Sequence, residues 1–110
     1  MIRSVTIVVT TLPNVEIADV MTRDALDARL AACVQRAVPV RSSYRWQEQI
    51  ESADEYTLTF KTSASRAQAL IELISQRHPY DVPEIVSWAV EASPAYAQWV
   101  HTETSVPIHV

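Results

Sequence analysis

The sequence of 110 residues contains no glycine. Glycine adopts positive φ at little steric cost, so tight turns in this chain must place such backbone on Asn, Asp or strained residues. The dinucleotide-binding fingerprint G-x-G-x-x-G and the P-loop both need glycine so that the backbone can approach phosphate groups closely. Neither nucleotide site is therefore available in its usual form, which removes two large classes of function.

Length and charge restrict the remaining classes. A chain of this length predicts one domain, residues 1–110, and 48% hydrophobic with 20% charged residues is typical of globular proteins. The formal net charge of −4 argues against nucleic acid and against an anionic membrane surface as partners, because both attract basic faces. We therefore expect a globular protein that binds neither.

Targeting signals are not evident in the sequence. No apolar stretch approaches the roughly 18 residues of a transmembrane helix, and the N-terminal run Ile7–Val9 is too short for a signal peptide. The single cysteine, Cys33, cannot form an internal disulfide. These features predict a cytoplasmic protein.

The first half of the chain predicts a strand, a helix and a long hairpin. Residues 3–11 are mostly β-branched and apolar on both faces, which favours a central strand. Asn14 is expected to cap a helix over about 15–31. Its predicted apolar stripe is Ile17, Val20, Met21, Ala25 and Ala28. Residues 33–46 and 55–62 are predicted to pair, with the tip inside 47–55.

The second half repeats this order. Ser65 and Gln68 match a capping box, followed by apolar residues at helical spacing up to Arg77. Pro79 is expected to end this helix, and 84–90 is a further predicted strand. Ser93-Pro94 predicts the start of a short helix, and 104–110 a tail or edge strand.

The predicted order is β-α-β-β-α-β plus a short C-terminal helix, an α+β fold of the ferredoxin-like type with an antiparallel sheet. Right-handed crossovers place both main helices on one face of this sheet. The other face of the sheet must then be covered by something else. A small domain with three tryptophans also has an unusually large aromatic surface; they are Trp46, Trp88 and Trp99. An exposed apolar face usually marks an interface, so we expect an oligomer.

Five blocks of the sequence resemble the CutA family of divalent-cation tolerance proteins. They are RLAACV (29–34), SYRWQEQIE (43–51), LTFKT (58–62), HPYDVPEI (78–85) and SPAYAQWV (93–100). The resemblance implies a homotrimer similar in architecture to the PII signalling proteins, with a role in tolerance of or response to divalent metals such as copper. The alternative is a PII-like module that binds a small ligand or a partner protein between subunits. No enzymatic activity is expected.

Copper is the metal cofactor that the resemblance suggests. The positions that it associates with copper fall on Thr10, Arg77 and His78, of which only His78 is a metal-ligand type. His78 is thus the candidate metal ligand, and a stiff connector that ends a helix is the alternative role of its loop. The other potential ligands are Cys33, Asp81, Glu84, His101 and His109, and none stands at a recognised zinc or calcium spacing.

The same blocks predict a cleft between subunits as the place where a small ligand or ion would bind. The residues expected there are Tyr44, Arg45, Trp46, Lys61, Tyr80 and Glu84. The acidic residues of the hairpin tip, Glu48, Glu51, Asp54 and Glu55, are expected to be solvated, with cation binding as the alternative. Family members commonly have glycine where this chain has Glu48, so positive φ is expected there at a cost of about 1 kcal/mol. Two catalytic alternatives stay open, Cys33 with a histidine and Asp81 with Glu84.

Overall fold

The computed structural model describes residues 1–106, which form five strands and three helices. In chain order these are β1 (Ser4–Leu12), α1 (Val15–Asp27), β2 (Cys33–Arg36), β3 (Val40–Trp46), β4 (Gln49–Thr62), α2 (Ala67–Arg77), β5 (Ile85–Glu91) and α3 (Pro94–Glu103). The strands pair antiparallel in the order β2-β4-β1-β5, and β3 pairs with the first half of β4. The ferredoxin-like α+β prediction is confirmed, with β1 in the centre. Residues 104–106 form no strand, and the rest of the predicted tail lies outside the described residues.

Helices α1 and α2 cover one face of the sheet. The buried side chains of this layer include Val8, Leu12, Met21, Ala25, Leu58, Phe60, Leu70 and Ile74. Val20, which the sequence places on the apolar stripe of α1, is exposed, because Ala18, Met21 and Ala25 form the buried row instead. This layer is the main hydrophobic core, and each large side chain in it contributes roughly 1.5–3 kcal/mol by burial.

Helix α1 ends at Asp27, four residues before the predicted end. Arg29 has φ of 56°, its N–H donates to the Leu26 carbonyl at 3.0 Å, and the Leu30 N–H donates to the Ala25 carbonyl at 3.0 Å. This is a Schellman motif, in which a left-handed residue reverses the chain and satisfies the last carbonyls. The reversal carries Leu30 into the core, and with no glycine in the chain an arginine takes the left-handed position.

The three predicted helix caps differ in outcome. The side chains of Asn14 and Ser93 each accept a hydrogen bond from the N–H three residues later, at 2.9 and 3.4 Å, as predicted. The capping box at Ser65 is wrong: α2 begins at Ala67 without a side-chain cap, and Ser65 Oγ lies 3.4 Å from Ser63 Oγ. Ser65 precedes the helix by one residue too many to reach its first free N–H groups.

The hairpin tip is shorter than predicted. Only Gln47 and Glu48 connect the strands, with φ of 49° and 66°, which is the geometry of a two-residue type I′ turn. The turn lies inside the predicted segment 47–55, but the second strand begins at Gln49 and not at residue 55, because residues 49–55 pair with β3 along its whole length. Positive φ at Glu48 is confirmed. We call β3 together with residues 49–55 the arm.

Helix α3 packs on the second face of the sheet but covers only part of it. It buries Val5 and Ile7 under Ala97 and Val100. Trp88 is paired with Ile7 and Val86 with Val9, so both point to this same face, and they remain 49% and 47% exposed. We call the surface around Val9, Val86 and Trp88 the open face.

Candidate functional site at the root of the arm

The loop between α2 and β5 touches the root of the arm through one strong hydrogen bond. The Tyr80 hydroxyl donates to Glu55 Oε2 at 2.8 Å. Glu55 lies opposite Val40, at the first pair of the arm, and is only 8% exposed. Because the acceptor is a buried carboxylate, this bond is of the charge-assisted kind and stronger than a neutral one. It ties the loop to the place where the arm leaves the sheet.

The ionisation of Tyr80 reflects this position. Burial raises the pKa of the phenol, and the hydrogen bond to Glu55, the charge of Glu55 and the nearby Tyr44 raise it further. The hydroxyl therefore stays protonated at neutral pH and acts as a hydrogen-bond donor, not as a base. A group in this state suits a structural or ligand-orienting role.

His78 packs against Tyr80, with ring centroids 4.8 Å apart, and both of its nitrogens have partners. Nε2 lies 2.8 Å from the Thr11 carbonyl oxygen, which only accepts, so Nε2 carries the proton and donates. The Tyr80 N–H donates to Nδ1 at 3.2 Å, so Nδ1 is the acceptor. These partners assign His78 as a neutral imidazole, and its burial, the largest effect, lowers its pKa.

Thr10 completes this cluster at the end of β1. Its hydroxyl donates to the Glu84 carbonyl at 2.7 Å and lies 3.1 Å from His78 Nε2, from which it can accept. Thr10 is fully buried. The hydroxyl therefore joins β1, the end of α2 and the start of β5 in one hydrogen-bonded network.

Copper does not fit the positions that the sequence resemblance suggests. Thr10 offers a hydroxyl that is already bonded, and Arg77 turns away to donate from Nε to Asp24 Oδ2 at 2.7 Å. The only lone pair of His78 that could ligate a metal, on Nδ1, accepts from a backbone N–H. Within residues 1–106 no group of three His, Cys, Asp or Glu side chains is placed to hold a metal ion. The geometry of His78 is that of a histidine that supports the loop.

The single chain brings together only some residues of the predicted cleft. Tyr44 lies close enough to Tyr80 to affect its pKa, and Glu84 reaches the cluster through its backbone carbonyl. Arg45 follows Tyr44 in β3 and therefore points to the opposite side of the arm. Trp46 lies at the far end of the arm, 40% exposed.

Lys61 is also separate from the cluster. Its Nζ lies 5.8 Å from the centroid of the Tyr96 ring, and it pairs across the ladder with Cys33. Burial is the main cause that raises the pKa of Tyr96, and the neighbouring Cys33 raises it further. Lys61 thus belongs to a second small cluster with Cys33 and Tyr96, under α3.

For the catalytic alternative of Cys33 with a histidine, His78 is too distant within one chain to be the partner. Cys33 lies opposite Lys61 in β4, whereas His78 contacts Thr11, which lies opposite Thr57. Four residues along a strand correspond to roughly 13 Å, far beyond a hydrogen bond.

Glu55 is the buried residue of the candidate site that the sequence analysis missed. It was predicted as one of several solvated carboxylates, but its side chain is buried by the loop that Tyr80 brings across it. Its neighbours in sequence are polar or exposed, so no periodic pattern marks it. The expectation of solvated carboxylates is confirmed for Glu48, Glu51 and Asp54, which are exposed.

Comparison with known proteins gives a consistent result. The family model described as CutA1 divalent ion tolerance protein matches residues 6–103. The mouse protein named Protein CutA is 37% identical over 102 residues, which cover 92% of this chain and 58% of the mouse protein. The divalent-cation tolerance protein CutA of Thermus thermophilus is 34% identical over 99 residues, which cover 89% and 96% of the two chains. This chain therefore spans less than two thirds of the mouse relative but nearly all of the bacterial one.

A solved structure shows the same likeness in three dimensions. The crystal structure of CutA from Xylella fastidiosa superposes with a TM-score of 0.88 at 35% identity, covering 92% of this chain and 98% of that one. Within residues 1–106, no helix is both long enough and apolar enough to cross a membrane.

Proposed function

We propose that this chain, which belongs to the CutA1 divalent ion tolerance family, acts in the cellular response to divalent metal ions. We propose further that it does so as a cytoplasmic homotrimer. The family description names tolerance of divalent ions and no chemical reaction. We therefore assign the chain a binding or assembly role and no catalytic one.

The observation that carries the trimer is the open face. Val86 and Trp88 are half-exposed, and Val9 lies beside them on the central strand. Apolar sheet surface of this kind is stable in water only when something covers it. The neighbouring copy of the chain is the partner that the family resemblance implies, and three sheets facing inward would bury this surface.

The arm supports the same assembly. The chain measures 53 × 29 × 22 Å with a radius of gyration of 15.1 Å, against about 13 Å for a compact chain of this length. Tyr44 and Trp46 lie on one side of the arm and are partly exposed. An isolated two-stranded ribbon is marginal in water, so the arm gains stability by lying against a neighbouring subunit.

Assembly also explains the divided cleft. Tyr44 lies near Tyr80 within one chain, whereas Arg45, Trp46 and Lys61 lie away from them. An arm that crosses to a neighbour would bring its Arg45 and Trp46 to that subunit. The cleft between subunits is therefore the proposed place for a small ligand or ion.

The mass of the purified protein at micromolar concentration tests the assembly. Sedimentation equilibrium should give about three times the chain mass of 12.4 kDa. If thermal unfolding is reversible, the melting temperature should rise with protein concentration, because assembly stabilises the folded chains. A stable monomer would overturn the proposal.

Copper titration tests the role of His78 separately. We propose that any copper bound by this protein is held elsewhere than at Thr10, Arg77 and His78. Calorimetry with copper(II) should then give similar affinities for the wild type and His78→Asn, with His101→Asn as a matched control. Tight binding of one copper per chain that His78→Asn abolishes would contradict this proposal, while the trimer would stand.

A further inference from the structure

A cavity lies outside the candidate site, where the loop before α2 meets the end of α3. Two adjoining hollows of about 370 and 230 Å³ share Ser63, Ser65 and His101 as wall residues. The larger hollow is also lined by Arg66, Thr104 and Ser105. A volume of 370 Å³ is at the lower end of the range, about 300–1,000 Å³, of small-molecule sites.

Hydroxyl groups form the inner wall of this cavity. Thr104 is fully buried, and its Oγ1 lies 2.9 Å from Ser63 Oγ. Ser63 Oγ in turn lies 3.4 Å from Ser65 Oγ, at the outer limit of a hydrogen bond. A serine hydroxyl rotates to suit its partner, so Ser65 is free to donate its proton to a bound group.

Arg66 provides a fixed positive charge. Its Nε donates to the Arg29 carbonyl at 3.5 Å and its Nη2 to the Ala28 carbonyl at 3.3 Å, both at the end of α1. A guanidinium has five N–H groups, so these two bonds hold its plane and leave three donors. His101, an exposed residue of α3, lines both hollows, and its imidazole carries an N–H in either tautomer.

The charged side chains that line the two hollows are of one sign. None of the described residues that line the two hollows is Asp or Glu, although the whole chain has a net charge of −4. Helix α2 begins beside the cavity without a side-chain cap and adds the positive end of its dipole, whereas the C-terminal end of α3 adds the negative end of its own. The cavity therefore presents donors and positive charge, which is the complement of an anion.

We propose that this cavity binds a small oxyanion of the phosphate type, held by Arg66, His101 and the Ser65 hydroxyl. A guanidinium with free donors matches oxyanion geometry better than an ammonium group does. Glycine is not needed, because side chains supply the contacts that a glycine-rich loop would otherwise make through its backbone. The proposal rests on this cavity alone and does not depend on the trimer or on a metal.

Calorimetric titration of the full chain with inorganic phosphate, at constant ionic strength set with sodium chloride, tests the proposal. One phosphate should bind per chain, and Arg66→Gln should weaken it about tenfold or more, since a hydrogen bond to a charged group is lost. Arg41→Gln is the matched control, because Arg41 is an exposed arginine of the arm paired with Asp54 at 3.2 Å. Its affinity for phosphate should equal that of the wild type.

Arg66 also supports the end of α1, so a second variant protects the test from a folding defect. The double change Ser65→Ala with His101→Gln leaves both bonds of Arg66 to α1 in place, and it should weaken phosphate severalfold. In parallel, amide NMR shifts on adding phosphate should concentrate at 63–67 and 101–105. Absence of binding in the millimolar range, equal losses in Arg66→Gln and Arg41→Gln, or shifts centred elsewhere would each overturn the proposal.

Discussion

Replacing Tyr80 by Phe measures what the loop contributes to holding the arm. The substitution keeps the ring that packs on His78 and removes only the hydroxyl that donates to Glu55 at 2.8 Å. Glu55 is buried, and within residues 1–106 no arginine, lysine or histidine forms an ion pair with it. A lost hydrogen bond to a buried charged group costs roughly 1.5–3 kcal/mol, so we expect about 2 kcal/mol of lost stability.

Urea unfolding at one fixed protein concentration measures this loss, because concentration would otherwise change the stability of an assembly. Tyr56→Phe is the matched control, because Tyr56 follows Glu55 in β4 and its ring lies 5.9 Å from the Arg36 guanidinium. Its hydroxyl forms no hydrogen bond within residues 1–106. The control should lose at most about 0.5 kcal/mol. If both variants lose the same amount, or if Glu55→Gln in the Tyr80→Phe background costs as much as it does alone, the proposed link between loop and arm is wrong.

Three further predictions concern the arm and the loop. Trp46→Ala should make the assembly dissociate on dilution before the circular dichroism signal changes, because the arm would lose a side chain that packs on a neighbouring subunit. A trimer that persists at high dilution, with a lower melting temperature, would show that Trp46 packs within its own chain. Glu48→Gly should raise the free energy of unfolding by about 0.5–1 kcal/mol, since glycine adopts the positive φ of the turn without strain. Gln49→Gly in the adjacent strand should lower the free energy of unfolding. The denaturant concentrations at the midpoints of unfolding measure both changes. Burial lowers the pKa of His78 in the folded chain below its ordinary value of 6.5. As the pH falls, the imidazole is therefore protonated in the unfolded chain before it is protonated in the folded one. The free energy of unfolding should then decrease from about pH 6.5 down to the pKa of the folded state. His78→Asn should lose this part of the pH dependence and His101→Asn should keep it; identical profiles for wild type and His78→Asn would disprove the assignment of a buried neutral imidazole.

The sequence by itself was enough for the order of elements and for most of their ends. The β-branched residues of 3–11, the alternation in 55–62 and the helical spacing after Asn14 act through local backbone geometry, and the resulting strands and helices are all present. Proline works in the same local way: Pro79 leaves His78 with ψ of 135°, and α2 ends there as predicted. The open apolar face also followed from this order, because two crossover helices can cover only one side of the sheet.

Tertiary structure decided where the ends of helices and the functional side chains lie. Helix α1 stops early because burying Leu30 outweighs the left-handed strain on Arg29, and this balance involves α2 and β4 as well as the local sequence. Glu55 became a buried acceptor only because a loop 25 residues further along the chain lies across it, a contact that no local pattern encodes. The cavity around Arg66 likewise joins residues from two distant segments, 63–66 and 101–106. Ser65 lines this cavity and does not cap α2, and only the folded chain shows this. Propensity and periodicity act over a few residues, so the sequence was enough to predict strands and helices. Contacts between distant segments depend on the packing of the whole core, so the sequence analysis missed them.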